Sequence, residues 1–341
     1  MAEQEQGAIR EEHFTFPSAL PAETGQEKAP DIHAKQWLPP AGMPVRGVVQ
    51  ITHGMCEHIE RYNHFASFLA SHGFAVCGQD TIGHGKSVET PSDWGHIPAQ
   101  GGKEALIENV HALRGIMQER LAGEYGAQSE GGEASEAGSF PYFMFGHSMG
   151  SFIVRNYVAH YAQGLAGAIV CGTGHQPGAV AAGGLAMARL IARTKGERYI
   201  SNTLYNLAEG AYGKAIEEPR TPLDWLSTNP AVVDAYIEDP ACGYRFTAGA
   251  YVTLMGLLSD LSKKSTTARI PQDLPLFLIA GASDPVGNCG RGVAQVYKEY
   301  KQAGLRDVDL RLYLGMRHEI LNEPENKKVY DDVLQWLERR S

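Results

Sequence analysis

The sequence predicts an α/β protein: a mostly parallel, eight-stranded sheet flanked by helices, with a helical segment inserted after the sixth strand. Two patterns predict it. Short apolar runs of strand length alternate with apolar-periodic helical segments along most of the 341 residues, the rhythm of a parallel sheet with crossover helices. One junction, YFMFGHSMGSFIV at 142–154, passes from strand to helix through a sharp turn flanked by glycines. The rhythm fails between 174 and 270, where helical patterns follow one another without a clear parallel strand. The chain therefore reads as a core in two pieces, 1–173 and 271–341, with 174–270 inserted between them.

After a polar lead, EHFTFPSAL and DIHAKQWLP read as two short strands punctuated by prolines, an antiparallel start to the sheet,. VRGVVQIT at 45–52 is a buried-type strand. Apolar residues at Ile59, Tyr62, Phe65, Ala66 and Leu69 predict a helix over 59–72, stopped by Gly73,. A strand follows at 74–78, then a helix over 103–121 with Leu106, Val110, Leu113, Met117 and Leu121 on one face. The Gly-, Ser-, Ala- and Glu-rich stretch at 122–139 has almost nothing to bury and reads as a solvated surface loop,. Beyond the 142–154 junction the helix runs to about residue 161, with a strand at 165–171. After the insertion come a strand (274–280), a helix (292–303), a strand (308–314) and a last helix (327–340).

A net charge of −9 argues against nucleic-acid partners, which want a basic surface,. No apolar run approaches a membrane span, and the amino-terminal residues lack a secretory pattern,. The five cysteines are scattered without CxxC spacing, so a reducing, cytoplasmic setting is the simpler expectation,. The thirteen histidines show no metal-ligand pattern, and no metal is expected,. Gly85-Lys86-Ser87 ends like a phosphate loop, but the glycine such a loop needs five residues earlier is Asp80,.

Ligands of parallel sheets bind beyond the carboxyl ends of the strands. The residues at those ends are His53, Gly54 and Met55; Ser148; Ser283 and Asp284; and Arg317 and His318. A serine hydroxyl becomes a nucleophile when a neutral imidazole takes its proton and a carboxylate orients that imidazole. Ser148, His318 and Asp284 fit those roles. Asp260, Asp273 and Asp307 are alternatives for the carboxylate, but none directly follows a strand. His53 and His147 read as supports of the loop at 53–55 and of the turn. Asp80, His84 and Ser87 read as ties within a turn, Cys56 as a small filler, and Glu319 and Glu323 as anchors of the histidine loop.

These motifs resemble the α/β-hydrolase superfamily and, within it, the monoacylglycerol lipase and lysophospholipase branch. The matches are ITHGM at 51–55, QDTIGHGKS at 79–87, FGHSMG at 145–150, GASDPVG at 281–287 and RHEILNE at 317–323. The resemblance spans nearly the whole chain from about residue 12, although 122–139 and the helical insertion depart from it. It implies the α/β-hydrolase fold and hydrolysis of a carboxylic ester through an acyl-enzyme on the triad Ser148, His318 and Asp284, with no cofactor. It also implies an oxyanion hole from the backbone N–H groups of Met55 and Met149, and a cap formed by 174–270. Small-molecule acyl esters are the implied substrates. Candidate substrate contacts are His53, Gly54, Leu185, Tyr251 and Met255. The apolar stripes of the insertion suit its own packing first, and also an acyl-chain pocket or transient contact with a membrane surface. The same triad also serves thioesterases, peptidases and perhydrolases, and a non-catalytic binding protein of this fold is the remaining alternative.

Overall fold

The computed structural model describes residues 8–21, 29–125 and 140–341. Eight strands form one sheet: β1 (Arg10–Phe16), β2 (Ile32–Leu38), β3 (Gly47–Thr52), β4 (Phe74–Gln79), β5 (Tyr142–His147), β6 (Gly167–Cys171), β7 (Leu276–Gly281) and β8 (Val308–Tyr313). Across the sheet they run β1-β2-β4-β3-β5-β6-β7-β8. The β1–β2 and β2–β4 pairings are antiparallel, and all the others are parallel. The strands from β3 to β7 are buried along their whole length, as their continuous apolar runs require, whereas the edge strand β8 alternates exposed and buried positions,.

Side chains of period two divide each central strand between two cores. Phe143 and Phe145 of β5 face one layer with Ile169 and Ile279. There they pack against Phe65 and Leu69 of α1 (Asn63–Ser71) and Val333 and Trp336 of α10 (Asn326–Glu338). Tyr142 and Met144 face the other layer with Ala168 and Leu278. That layer is covered by Val110 and Leu113 of α2 (Gly102–Tyr125), Val154 and Tyr157 of α3 (Met149–Tyr161), and Val293 and Val296 of α9 (Arg291–Gln302).

Three boundaries differ from the sequence reading. The helix expected over 59–72 is a 3-10 turn, Ile59–Tyr62, followed by α1. The Asp80 carboxylate takes the Ile59 N–H at 2.8 Å and pins that first turn to the end of β4. Helix α2 continues to Tyr125, four residues into the stretch expected as loop, and residues 126–139 lie outside the described residues. Strand β6 begins at Gly167, where a Cβ would stand 2.5 Å from the Trp336 ring, so the sheet admits only glycine where that ring crosses it.

Between β6 and β7 lie helices α4 (Gly178–Lys195), α5 (Asn202–Ala208), α6 (Pro230–Glu238), α7 (Ala248–Leu261) and α8 (Lys264–Thr267). Side-chain caps start three of them: Ser201 accepts the Leu204 N–H, Asn229 accepts that of Ala231 ahead of α6 with proline at its first position, and Thr247 accepts that of Ala250,. Helix α7 is apolar nearly all round and almost wholly buried, the signature of a central helix,. The small side of α4, Ala181, Gly184, Ala188 and Ala192, closes on it, and α7 rests in turn on α2 and α3. No helix among the described residues is long and apolar enough to cross a membrane.

Candidate active site

Ser148 stands between β5 and α3 with φ 54°, a conformation a non-glycine residue adopts only where its surroundings enforce it,. Those surroundings are close backbone contacts. Its N–H bonds the Cys171 carbonyl at the end of β6 (3.0 Å). A Cβ on Gly150 would lie 2.0 Å from the Thr52 carbonyl oxygen and 2.6 Å from that of His53, so only glycine lets α3 approach the loop after β3,. The position of a Cβ on Gly54 is 3.1 Å from the Ser148 Cβ, which brings that loop directly beside the hydroxyl.

The loops after β7 and β8 bring the other two residues together. Asp284 is fully buried; its Oδ1 accepts the Val286 N–H (2.9 Å) and its Oδ2 pairs with His318 Nδ1 (2.9 Å). That pairing assigns the proton to Nδ1 and leaves Nε2 as the basic nitrogen. His318 lines the same cavity as Ser148. Met149 is the first residue of α3, so its N–H has no acceptor within the helix,. In the loop after β3 the Gly54 N–H is taken by Glu57 Oε1 (2.6 Å), and Met55 next to it lines the cavity with Ser148.

Beneath the site lies a buried charged cluster. Arg61 makes a two-pronged pair with Glu319 (2.7 Å on each prong) and a single contact with Glu57 (2.7 Å). Tyr62 donates to Glu57 and stands 3.0 Å from His147 Nδ1. Burial alone would raise the Glu57 pKa, but its hydrogen bond with His147 and the Arg61 charge hold it well below the usual range,. Burial likewise opposes charge on His147, and Glu57 outweighs it, so the His147 pKa is raised. The His147 ring also lies tilted against that of His318, with centroids 4.7 Å apart and Nε2 at 3.2 Å from the His318 carbonyl. His147 thus braces the histidine loop from below, and Glu319 and Glu323 both anchor it.

The cavity over Ser148 has a volume of about 170 Å³ and opens between the loop after β3 and the insertion. Phe152, Ala181, Leu254, Met255, Leu258 and Val286 give its lining apolar surface, and Tyr205, Glu209, Tyr212 and Trp225 add polar and aromatic groups. Burial pushes the Glu209 pKa up to about 7 against the opposing effect of the Tyr251 hydroxyl, which donates to it at 2.6 Å. The insertion is also tied to the histidine loop. The His318 and Glu319 N–H groups bond the carbonyls of Trp225 and Leu226 (3.4 and 2.7 Å), and the Trp225 ring lies 5.1 Å from that of His318.

Of the five residues expected to touch substrate, Gly54 and Met255 line this cavity. His53, Leu185 and Tyr251 do not, and that expectation is corrected. His53 is fully buried behind Gly54, its Nε2 accepting the Thr81 N–H at 2.9 Å. Tyr251 is on the buried face of α7 and reaches the cavity only through Glu209. Leu185 sits on the α4 turn beside Gly184, and it is Gly184 that faces the cavity. Asp80 ties its turn together: it accepts from His33, Ile59 and Lys86, while Ser87 bridges its carbonyl to the His33 N–H. Sequence reasoning passed over Glu57, Arg61, Glu209, Tyr212 and Trp225. The Glu57–Arg61 spacing of four residues directly after HGMC was an available signal, whereas the last three lie in the irregular insertion.

Residues 43–325 match the family model described as serine aminopeptidase, S33. A monoacylglycerol lipase from Mycolicibacterium smegmatis is 30% identical over 303 residues, 86% of this chain and 88% of that protein. The human monoglyceride lipase is 24% identical, over 91% of this chain and 88% of its own. Among solved structures, a thermostable carboxyl esterase from Bacillus coagulans, determined with glycerol, superposes with a TM-score of 0.83 at 28% identity, covering 98% of this chain and 99% of that one.

Proposed function

This chain belongs to the serine aminopeptidase S33 family of α/β-hydrolases, in its monoacylglycerol lipase branch, and from that premise we propose that it cleaves single-chain acyl glycerols through an acyl-enzyme on Ser148. It is a carboxylic ester hydrolase. His318 Nε2 takes the Ser148 proton as the oxygen attacks the ester carbonyl, and then delivers it to the leaving alcohol. Asp284 holds the imidazole and stabilises its charged form. The Met55 and Met149 N–H groups receive the oxyanion; a donor of this kind is worth about 3 kcal/mol in related chemistry. Water then repeats the sequence on the acyl-enzyme.

The observation that carries this reading is Ser148 held at φ 54° on the floor of a half-apolar cavity that also holds the Asp284-paired His318. Residues 174–270 act as the cap, whose apolar wall receives the acyl chain. Val180 and Leu207 line the cavity and are each 55% exposed, which suits substrate entering from a lipid surface and a transient contact of the cap with it.

The family description makes a peptidase the second reading. An aminopeptidase must hold a protonated α-amino group on a free carboxylate. The carboxylates on the cavity wall are Glu57, Glu209 and Glu319. Arg61 occupies two of them, and Glu209 titrates near 7, so the cavity favours a neutral ester. Rates on monoacylglycerols and p-nitrophenyl esters of graded chain length, set against aminoacyl amides, test this: the account expects ester turnover, and a clear preference for the amides overturns it.

A further inference from the structure

Where the insertion meets the loop after β3, three donors of different chemistry converge. His58 Nε2 stands 2.8 Å from Asp239 Oδ2, and Cys242 Sγ lies within 4.8 Å of both. Asp239 and Cys242 are held in one turn at the end of α6: the Cys242 N–H bonds the Asp239 carbonyl (3.0 Å), and Asp239 Oδ1 accepts the Ala241 N–H (2.8 Å). The His58 and Asp239 side chains keep 15% and 34% of their surface open, so a hydrated ion can reach them.

We propose that His58, Asp239 and Cys242 form a divalent-cation site of the zinc type, clamping the insertion to the loop that carries Met55. A mixed imidazole, carboxylate and thiolate set is the donor set that zinc prefers, and that calcium and magnesium do not. On a tetrahedral zinc, nitrogen and oxygen ligands stand about 3.3 Å apart, and nitrogen and sulfur about 3.6 Å. The observed positions need a slight widening of the His58–Asp239 contact and a side-chain rotation at Cys242. Solvent supplies the fourth ligand.

On binding, the ion exchanges bound water for His58 Nε2, Asp239 Oδ2 and Cys242 Sγ; the thiol proton leaves to water, the His58–Asp239 hydrogen bond is given up, and the imidazole proton moves from Nε2 to Nδ1 by way of water, freeing the Nε2 lone pair. The nearest cation, Arg61, is already matched by Glu57 and Glu319. The seam is built for a clamp: the Cys56 carbonyl accepts both the Gly243 N–H (3.0 Å) and the Tyr236 hydroxyl (2.8 Å) across it.

The test is titration of the full chain with cobalt and zinc, in a Cys289→Ser background that removes the exposed thiol, with a non-thiol reductant. The proposal expects one cobalt per chain with a thiolate-to-cobalt charge-transfer band, displaced by zinc. Cys242→Ser should abolish the band, His58→Gln should weaken binding by at least about tenfold, and zinc should raise the melting temperature of the parent alone. Melting curves without metal verify folding, and Asp239→Asn replaces either variant that fails to fold. No charge-transfer band in the parent, or a band that survives Cys242→Ser, overturns the site. None of these readouts depends on ester hydrolysis.

Discussion

Burial opposes charge at both Glu209 and Asp80, yet their pKa values end on opposite sides of the ordinary carboxylate range. Glu209, raised to about 7 in the folded chain from an ordinary value of 4.5, binds more protons folded than unfolded between those values. Stability should therefore fall as pH rises through that window, and Glu209→Gln should flatten the slope; thermal melts on either side of the window measure it. At Asp80 burial opposes charge too, but the His33 contact and the Ile59 and Lys86 N–H groups outweigh it and bring the pKa to about 2. Its contribution is present above the ordinary value of 3.8 and is lost as pH falls toward 2. Asp80→Asn should thus lower the melting temperature at neutral pH and shrink the acid-induced loss, read from melts across the acid range. The Asp80 turn was legible in the sequence because Lys86 and Ser87 are near neighbours in a compact motif, whereas its partners His33 and Ile59 come from other elements. Glu209 was not, since its raised pKa comes from burial beside Tyr251 of another helix.

At the scale of elements, the elbow depends on contact between backbones. Gly150→Ala would drive a methyl into the Thr52 and His53 carbonyls and should cost about 1–3 kcal/mol or more, with a larger loss of activity because Met55 moves away from Ser148; melts and kcat/KM measure the two effects. Glu323 is a different kind of joint. It accepts the N–H groups of Arg317 and Thr228, and so joins the histidine loop to the insertion. Glu323→Ala removes the charged acceptor shared by these part-buried N–H groups, so the expected loss is about 1–3 kcal/mol with a fall in kcat, tested by denaturant melts and steady-state kinetics. Strand β5, the turn and α3 could be read from sequence because period and glycine spacing are local. The extension of α2 to Tyr125 could not, since a polar, alanine-containing stretch satisfies helix and loop alike.

For the whole molecule, the parallel sheet was legible from the alternation of strands and helices, and it delivers Ser148, Asp284 and His318 to one edge. The candidate triad could be read because each member lies in the turn or loop that follows a strand. The cavity wall could not: it is formed where the largely irregular 209–226 stretch meets α3 and the loop after β3, and no periodicity records that meeting. The central claim is that Ser148 is the nucleophile, activated through His318. A fluorophosphonate probe followed by mass spectrometry tests it most directly. The account predicts one adduct per chain, on Ser148, and none in a Ser148→Ala protein that melts like the parent; a probe that labels that variant, or spares Ser148 in a folded parent, contradicts it.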